Sequence, residues 1–124
     1  MKKKVLFAIE SLAGGGAEKI LVTIVKNIDK TKFDITVLTV VKTGVYVEEV
    51  EKYCTLISML PEYEKLTNPI AKMKYKVDYK KIYKEDCAKI YKKYVKNEYD
   101  IEIAFVEGFV TKLVANSTNK YSKK

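Results

Sequence analysis

Three consecutive glycines, Gly14, Gly15 and Gly16, stand between the segments VLFAIE and AEKILVTIVKNI. A glycine turn that delivers the chain into a helix leaves the first backbone N–H groups of that helix free, an arrangement that attracts anions. A mononucleotide loop of the GxxxxGK[ST] type is absent. A dinucleotide fingerprint, GxGxxG, fails because Lys19 occupies the place of the third glycine. It also wants an acid at the end of the second strand, where Thr39, Val40, Val41 and Lys42 stand instead. Two readings remain. The backbone makes room for a phosphate or sugar, or the glycines merely permit positive φ in a surface turn. Three in a row exceed what a turn needs, which favours the first.

Other residue types narrow the chemistry. All 24 basic residues are lysines, and His is absent, so there is no imidazole base or histidine metal ligand. Cys54 and Cys87 lie far apart without a CxxC pairing, which argues for free thiols in a reducing compartment. Neither metal nor cofactor is expected. The net charge of +8 calls for an anionic partner, unless the lysines simply decorate the surface. The apolar run after Lys4 ends at Glu10, too early for a signal peptide, and nothing approaches a transmembrane length. A cytoplasmic protein is expected.

The elements that must position the turn follow in order. Residues 4–9 read as a central parallel strand. Ala17, Ile20, Leu21, Ile24, Val25 and Ile28 repeat at helical spacing. Residues 33–41 (FDITVLTVV) form the second strand, residues 45–53 a short helix with Val47 and Val50 inward, and residues 54–59 a third strand. Asn68 and Pro69 open another helix. Tyr79, Tyr83, Cys87, Ile90 and Tyr94 then predict a continuous helix to about Asn97, with Ile82, Tyr91 and Val95 widening its buried face. Residues 101–106 supply the fourth strand and 109–115 the last helix; the polar end, NSTNKYSKK, is expected to fray. This alternation predicts an α/β fold: one Rossmann-like, three-layer α/β/α unit over residues 1–124, with a four-stranded parallel sheet in the order 3-2-1-4. The free edge of the fourth strand is expected to be an association liability.

The segments KKVLFAIESLAGGGAEKILVTIVKNI, FDITVLTV, Gly44-Val45-Tyr46 and YDIEIAFVEGFVTKLVANS together resemble the N-terminal half of a GT-B glycosyltransferase of the family 4, or group 1, type. The two motifs behind the resemblance are the GG-A-E-[KR] turn after strand one and the E-G-x-x-[ST]-K segment after strand four. The resemblance implies transfer of a sugar from a nucleotide-sugar donor to a glycan or lipid-linked acceptor, in cell-surface or capsular polysaccharide synthesis. It implies that the N-terminal domain holds the acceptor. Gly14, Gly15 and Gly16 would line the cleft and face the donor, while Glu107 and Gly108 would face the acceptor. Glu10 is a further cleft residue on this view, and Lys19 and Lys112 are possible phosphate partners or plain surface lysines. Glu107 could equally serve as an acid at a helix start. Such enzymes are far longer, with a second domain that carries the nucleotide pocket. The family's N-terminal histidine is also missing. The chain is therefore expected to be an incomplete GT-B half, inactive alone and dependent on a donor domain in cis or in trans.

Between Lys65 and Lys96, eleven lysines face only Asp78, Glu85 and Asp86, an excess equal to the whole chain's +8. Tyr75, Tyr79, Tyr83, Tyr91 and Tyr94 interleave with them. A basic amphipathic surface on anionic lipid is one reading, and a packing helix with core tyrosines the plainer one. Nucleic acid is disfavoured by the absence of Arg and of any recognised binding motif. The alternative to an enzyme half is thus a non-catalytic, anion-binding, membrane-recruiting subunit of a split glycosyltransferase.

Overall fold

The computed structural model of the chain describes residues 2–13, 15–105, 108–119 and 122–124. Four strands, β1 (Lys3–Ile9), β2 (Phe33–Thr39), β3 (Thr55–Ser58) and β4 (Ile101–Ala104), form one sheet in the order β3-β2-β1-β4. All three pairings are parallel, with Phe7 opposite both Val37 and Ile103. The fold is therefore the expected Rossmann-like α/β arrangement with a 3-2-1-4 sheet.

Alternate residues of β1 serve opposite layers, as the period of a strand requires. Val5, Phe7 and Ile9 pack with α1 (Gly16–Asn27) and α2 (Val47–Tyr53). Leu6 and Ala8 face the other layer, which holds α3 (Pro69–Lys84), α4 (Cys87–Tyr94) and α5 (Phe109–Ala115). A central strand covered on both faces needs a nearly continuous apolar run, which VLFAI supplies. On α1 the buried residues are Leu21, Val22 and Val25, whereas Ile20, expected inward, is 57% exposed.

Two expectations are corrected. The helix expected from Tyr79 to about Asn97 is two helices. α3 ends at Lys84, and Asp86 caps α4 by accepting a hydrogen bond from the Ala88 N–H at 3.1 Å. An Asp carboxylate that bonds backbone two residues ahead stabilises a helix start rather than a helix interior. Ile82, Ile90, Tyr91 and Val95 are buried, while Tyr79 and Tyr83 are 42% and 41% exposed.

The polar end is also not frayed. The Glu102 N–H donates to the Lys123 carbonyl at 2.7 Å, and the Lys123 N–H donates to Asp100 at 2.9 Å. Lys123 thus pairs in parallel with Ile101 and covers part of the β4 edge that was expected to be free. The fully buried Glu102 carboxylate holds this return. It accepts from both Tyr91 and Ser122, from Ser117 at 2.9 Å, and lies 3.6 Å from the Lys124 ammonium. Burial, and then the Glu102 carboxylate to which it donates, hold the Tyr91 phenol above its ordinary range.

Candidate functional site

The carboxyl ends of β1 and β4 lie side by side, because Ala8 pairs with Ala104 and the Phe105 N–H donates to Ala8 at 2.8 Å. The glycine turn follows the first strand and Gly108 follows the fourth. Glu10 lies between them: a Cβ placed on Gly108 would come within 3.7 Å of Glu10 Oε1. Parallel sheets collect ligands at this end.

The segment after β1 is fixed by the loop after β2. The Glu10 carbonyl accepts from Val40 and Val41 at 3.1 and 3.2 Å, the Leu12 N–H donates to Thr43 at 3.0 Å, and the Leu12 carbonyl accepts from Tyr46 at 3.2 Å. Gly44 makes this approach possible. Its φ is +128°, and a Cβ there would lie 2.0 Å from the carbonyl carbon and oxygen of Leu12. The turn is therefore built on a clamped base.

Gly15 caps α1 and Gly16 is its first residue. Neither has positive φ, so the plain-turn reading fails for both. The Glu18 carboxylate reaches back and accepts from the Gly15 N–H at 2.7 Å. This is one half of a capping box, and it sets a negative charge against the positive end of the helix. A Cβ on Gly15 would collide with Glu18 Oε2 at 2.3 Å, whereas a Cβ on Gly16 would meet no atom of the described residues within 4 Å. Gly16 is exposed. Among the described residues, neither a positive φ nor a close contact requires glycine there.

Gly14 and Glu107 lie outside the described residues. Gly108 has φ +121° and ψ −140°, a region essentially reserved for glycine, and it caps α5. Lys19 and Lys112 are exposed.

Sequence reasoning did not assign Tyr83 to this end of the sheet. Its ring lies 4.8 Å from that of Phe109, the residue after Gly108. Burial raises its phenol well above the ordinary range, and the Glu10 carboxylate adds to the shift. The residue as a whole remains 41% exposed. Spacing alone placed Tyr83 on a buried helix face, and no sequence signal connected it with Glu10.

Among the described residues, no group of three or more Cys, His, Asp or Glu side chains is placed to hold a metal. No helix there is long and apolar enough to cross a membrane. Compared with known family models, curated proteins and solved structures, the chain matches none.

Proposed function

We propose that the chain is the acceptor-side, N-terminal portion of a nucleotide-sugar-dependent GT-B glycosyltransferase of the family 4 type, acting in cell-surface or capsular glycan synthesis. The observation that carries this reading is Gly16. It is exposed at the start of α1, beside the carboxyl end of the sheet, and among the described residues nothing occupies the space of a side chain. A glycine in that place lets a ligand approach the backbone closely. The N–H groups of the first helical turn lack intrahelical acceptors and suit a donor phosphate or sugar hydroxyl. Glu18 already complements the helix end, so an arriving phosphate must displace its carboxylate or bind beside it. Gly108 and Glu10 lie together at the neighbouring strand ends, where a carboxylate can accept bonds from acceptor hydroxyls.

The donor-binding half is supplied by a further domain, in cis or in trans, and the chain alone holds one wall of the cleft. The test is a titration with UDP-glucose and GDP-mannose followed by backbone amide shifts. Shifts at Gly15, Gly16 and Gly108, lost in Gly16→Ala, are the expected result. An unchanged spectrum at millimolar ligand sinks the reading. Sugar transfer by the chain alone would overturn its assignment as half of a site.

A second reading, the membrane-recruiting subunit, draws on α3. Ile70, Met73 and Val77 share one helical face and are 77%, 69% and 48% exposed, with Lys74 and Lys81 on that side. It places the protein in the cytoplasm, peripheral to the membrane. Co-sedimentation with phosphatidylglycerol vesicles but not phosphatidylcholine vesicles is its expected outcome. Equal binding to both, or none, rejects it.

A further inference from the structure

Five aromatic rings run in an unbroken chain across the carboxyl end of the sheet. Tyr63 lies 5.0 Å from Tyr75, Tyr75 lies 6.4 Å from Tyr79, Tyr79 lies 5.2 Å from Tyr83, and Tyr83 lies 4.8 Å from Phe109. Tyr75 and Tyr79 are nearly parallel, at 17°. The run starts in the short turn after β3 and ends beside Gly108 and Glu10. At its far end, Tyr63, Tyr75 and Tyr79 line an open cleft of about 460 Å³ together with Thr43, Lys76 and Lys80.

Packing accounts for only part of this series: Tyr75 and Phe109 lie against the core. Ile82 is the one residue of α3 that is fully buried among those described, and Tyr79 and Tyr83 remain more than two-fifths exposed. Partly exposed aromatic rings with hydroxyl and ammonium groups beside them suit a ligand that has apolar C–H faces and hydroxyl edges at once. A sugar ring is such a ligand: its C–H face lies on an aromatic face, and its hydroxyls bond to the polar rim. Glu64 stands at this cleft beside Lys76 and Lys80, so both signs of charge edge it, which suits a neutral polyhydroxyl ligand better than an anionic headgroup.

We infer that the Tyr63–Tyr75–Tyr79–Tyr83–Phe109 series is a binding track for an oligosaccharide segment of the acceptor, leading its reactive end to Glu10 and Gly108. The acceptor role rests on the glycosyltransferase reading; glycan binding itself does not. Several neutral sugars laid along the track would be held at once, so affinity should rise with chain length and fall when a ring is removed.

Four of the chain's ten tyrosines belong to the track, so assigned tyrosine ring-proton shifts report on it residue by residue. Maltohexaose, chitohexaose and mannohexaose are the probes, each against its monosaccharide. The expected result is ring shifts at Tyr79 and Tyr83 with at least one hexasaccharide. Tyr79→Ala should weaken binding about tenfold and Tyr79→Phe less than threefold, since the ring rather than its hydroxyl carries the contact. Both variants must retain the parent's unfolding midpoint. No ring shift with any hexasaccharide at millimolar concentration overturns the proposal, as does equal weakening by both variants. Ring shifts with phosphatidylglycerol micelles alone reassign the surface to lipid and also overturn it. The nucleotide-sugar titration reads different atoms, the amides of Gly15, Gly16 and Gly108. The track can therefore fail while the donor-side reading stands, and the reverse.

Discussion

Gly44→Ala and Gly16→Ala are the same chemical change, and their consequences should have opposite signs. At Gly44 the new methyl meets the Leu12 carbonyl carbon and oxygen at 2.0 Å and the Ala13 nitrogen at 2.3 Å, all of them backbone. The loop cannot step away without losing the hydrogen bonds from Leu12 to Thr43 and from Tyr46 to Leu12. Positive φ costs a non-glycine residue about 1–2 kcal/mol. Overpacking a tight contact adds about 1–3 kcal/mol. The expected loss is therefore about 3 kcal/mol, a large share of the roughly 5–15 kcal/mol that holds a domain together. At a urea slope of about 1.5 kcal/mol/M this moves the midpoint down by about 2 M. Gly16 stands at a helical position with empty space beside it, so alanine there should raise stability by about 0.5 kcal/mol. Equilibrium urea unfolding of the three proteins reads both effects. A Gly44→Ala loss below about 1 kcal/mol would refute the clamp argument. A Gly16→Ala loss above about 1 kcal/mol would show that Gly16 has a structural reason to be glycine, and the case for a ligand at that position would go with it.

Other perturbations separate fold from site. Glu102→Ala removes a fully buried carboxylate from three hydroxyl donors and the Lys124 ammonium. A loss of about 3–5 kcal/mol, with faster amide exchange at Lys123, is expected; unchanged exchange would show that the tail is held otherwise. Glu18→Ala should cost about 1 kcal/mol through the lost cap and leave the fold intact, and it should not weaken nucleotide-sugar binding if phosphate displaces the carboxylate. Burial pushes the Cys54 thiol from its ordinary 9.0 to about 11, so iodoacetamide at pH 8 should leave it largely unmodified in the native protein and react with it in urea. The raised value favours the protonated, folded form: this contribution is complete below pH 9 and is lost as pH climbs through 11. Stability that does not fall over that interval in Cys54→Ala, but does in the parent, would assign the loss to this thiol.

Much of the fold was legible because strand burial leaves a simple trace. VLFAI is apolar on both faces, FDITVLT is rich in β-branched residues, and the helix between them is amphipathic. The helix start at Gly15 and Gly16 was legible for the same local reason. Glycine roles that depend on distant contacts were not. Gly44 reads in sequence as a break between two elements, yet its approach to Leu12 exists only once β1 and β2 pair. Glu102 looks like an outward polar residue on a short strand. Its burial depends on Ser117 and Ser122, which belong to a segment that composition alone marks as solvent-loving. The expectation at Glu107 falls outside the described residues, whereas Glu10, its companion at the neighbouring strand end, is seen beside Gly108.

The break after Lys84 shows how a periodicity can be correct and its meaning still change. Tyr79, Tyr83, Cys87, Ile90 and Tyr94 do recur at helical spacing, but the Asp86 cap divides them between two helices. α4 turns Ile90 and Tyr91 into the core, so nothing requires the preceding tyrosines to be buried as well. α3 is free to lie across the strand ends, where it lines a cleft with Thr43 after β2, joins a cluster with Met59 and Leu60 after β3, and meets Phe109 after β4. Had the helix run on through Asp86, Tyr79 and Tyr83 would share one face with Ile90 and Tyr94 and point at the sheet. Replacing the cap tests this directly. Asp86→Ala removes the bond to the Ala88 N–H and restores a good helix former between α3 and α4. The expected result is a gain in helical circular dichroism at a stability loss of about 1 kcal/mol, with Tyr83 ring shifts moving away from those of Phe109. An unchanged Tyr83 environment would mean that the ring series holds α3 in place by itself, and that the cap only records the break.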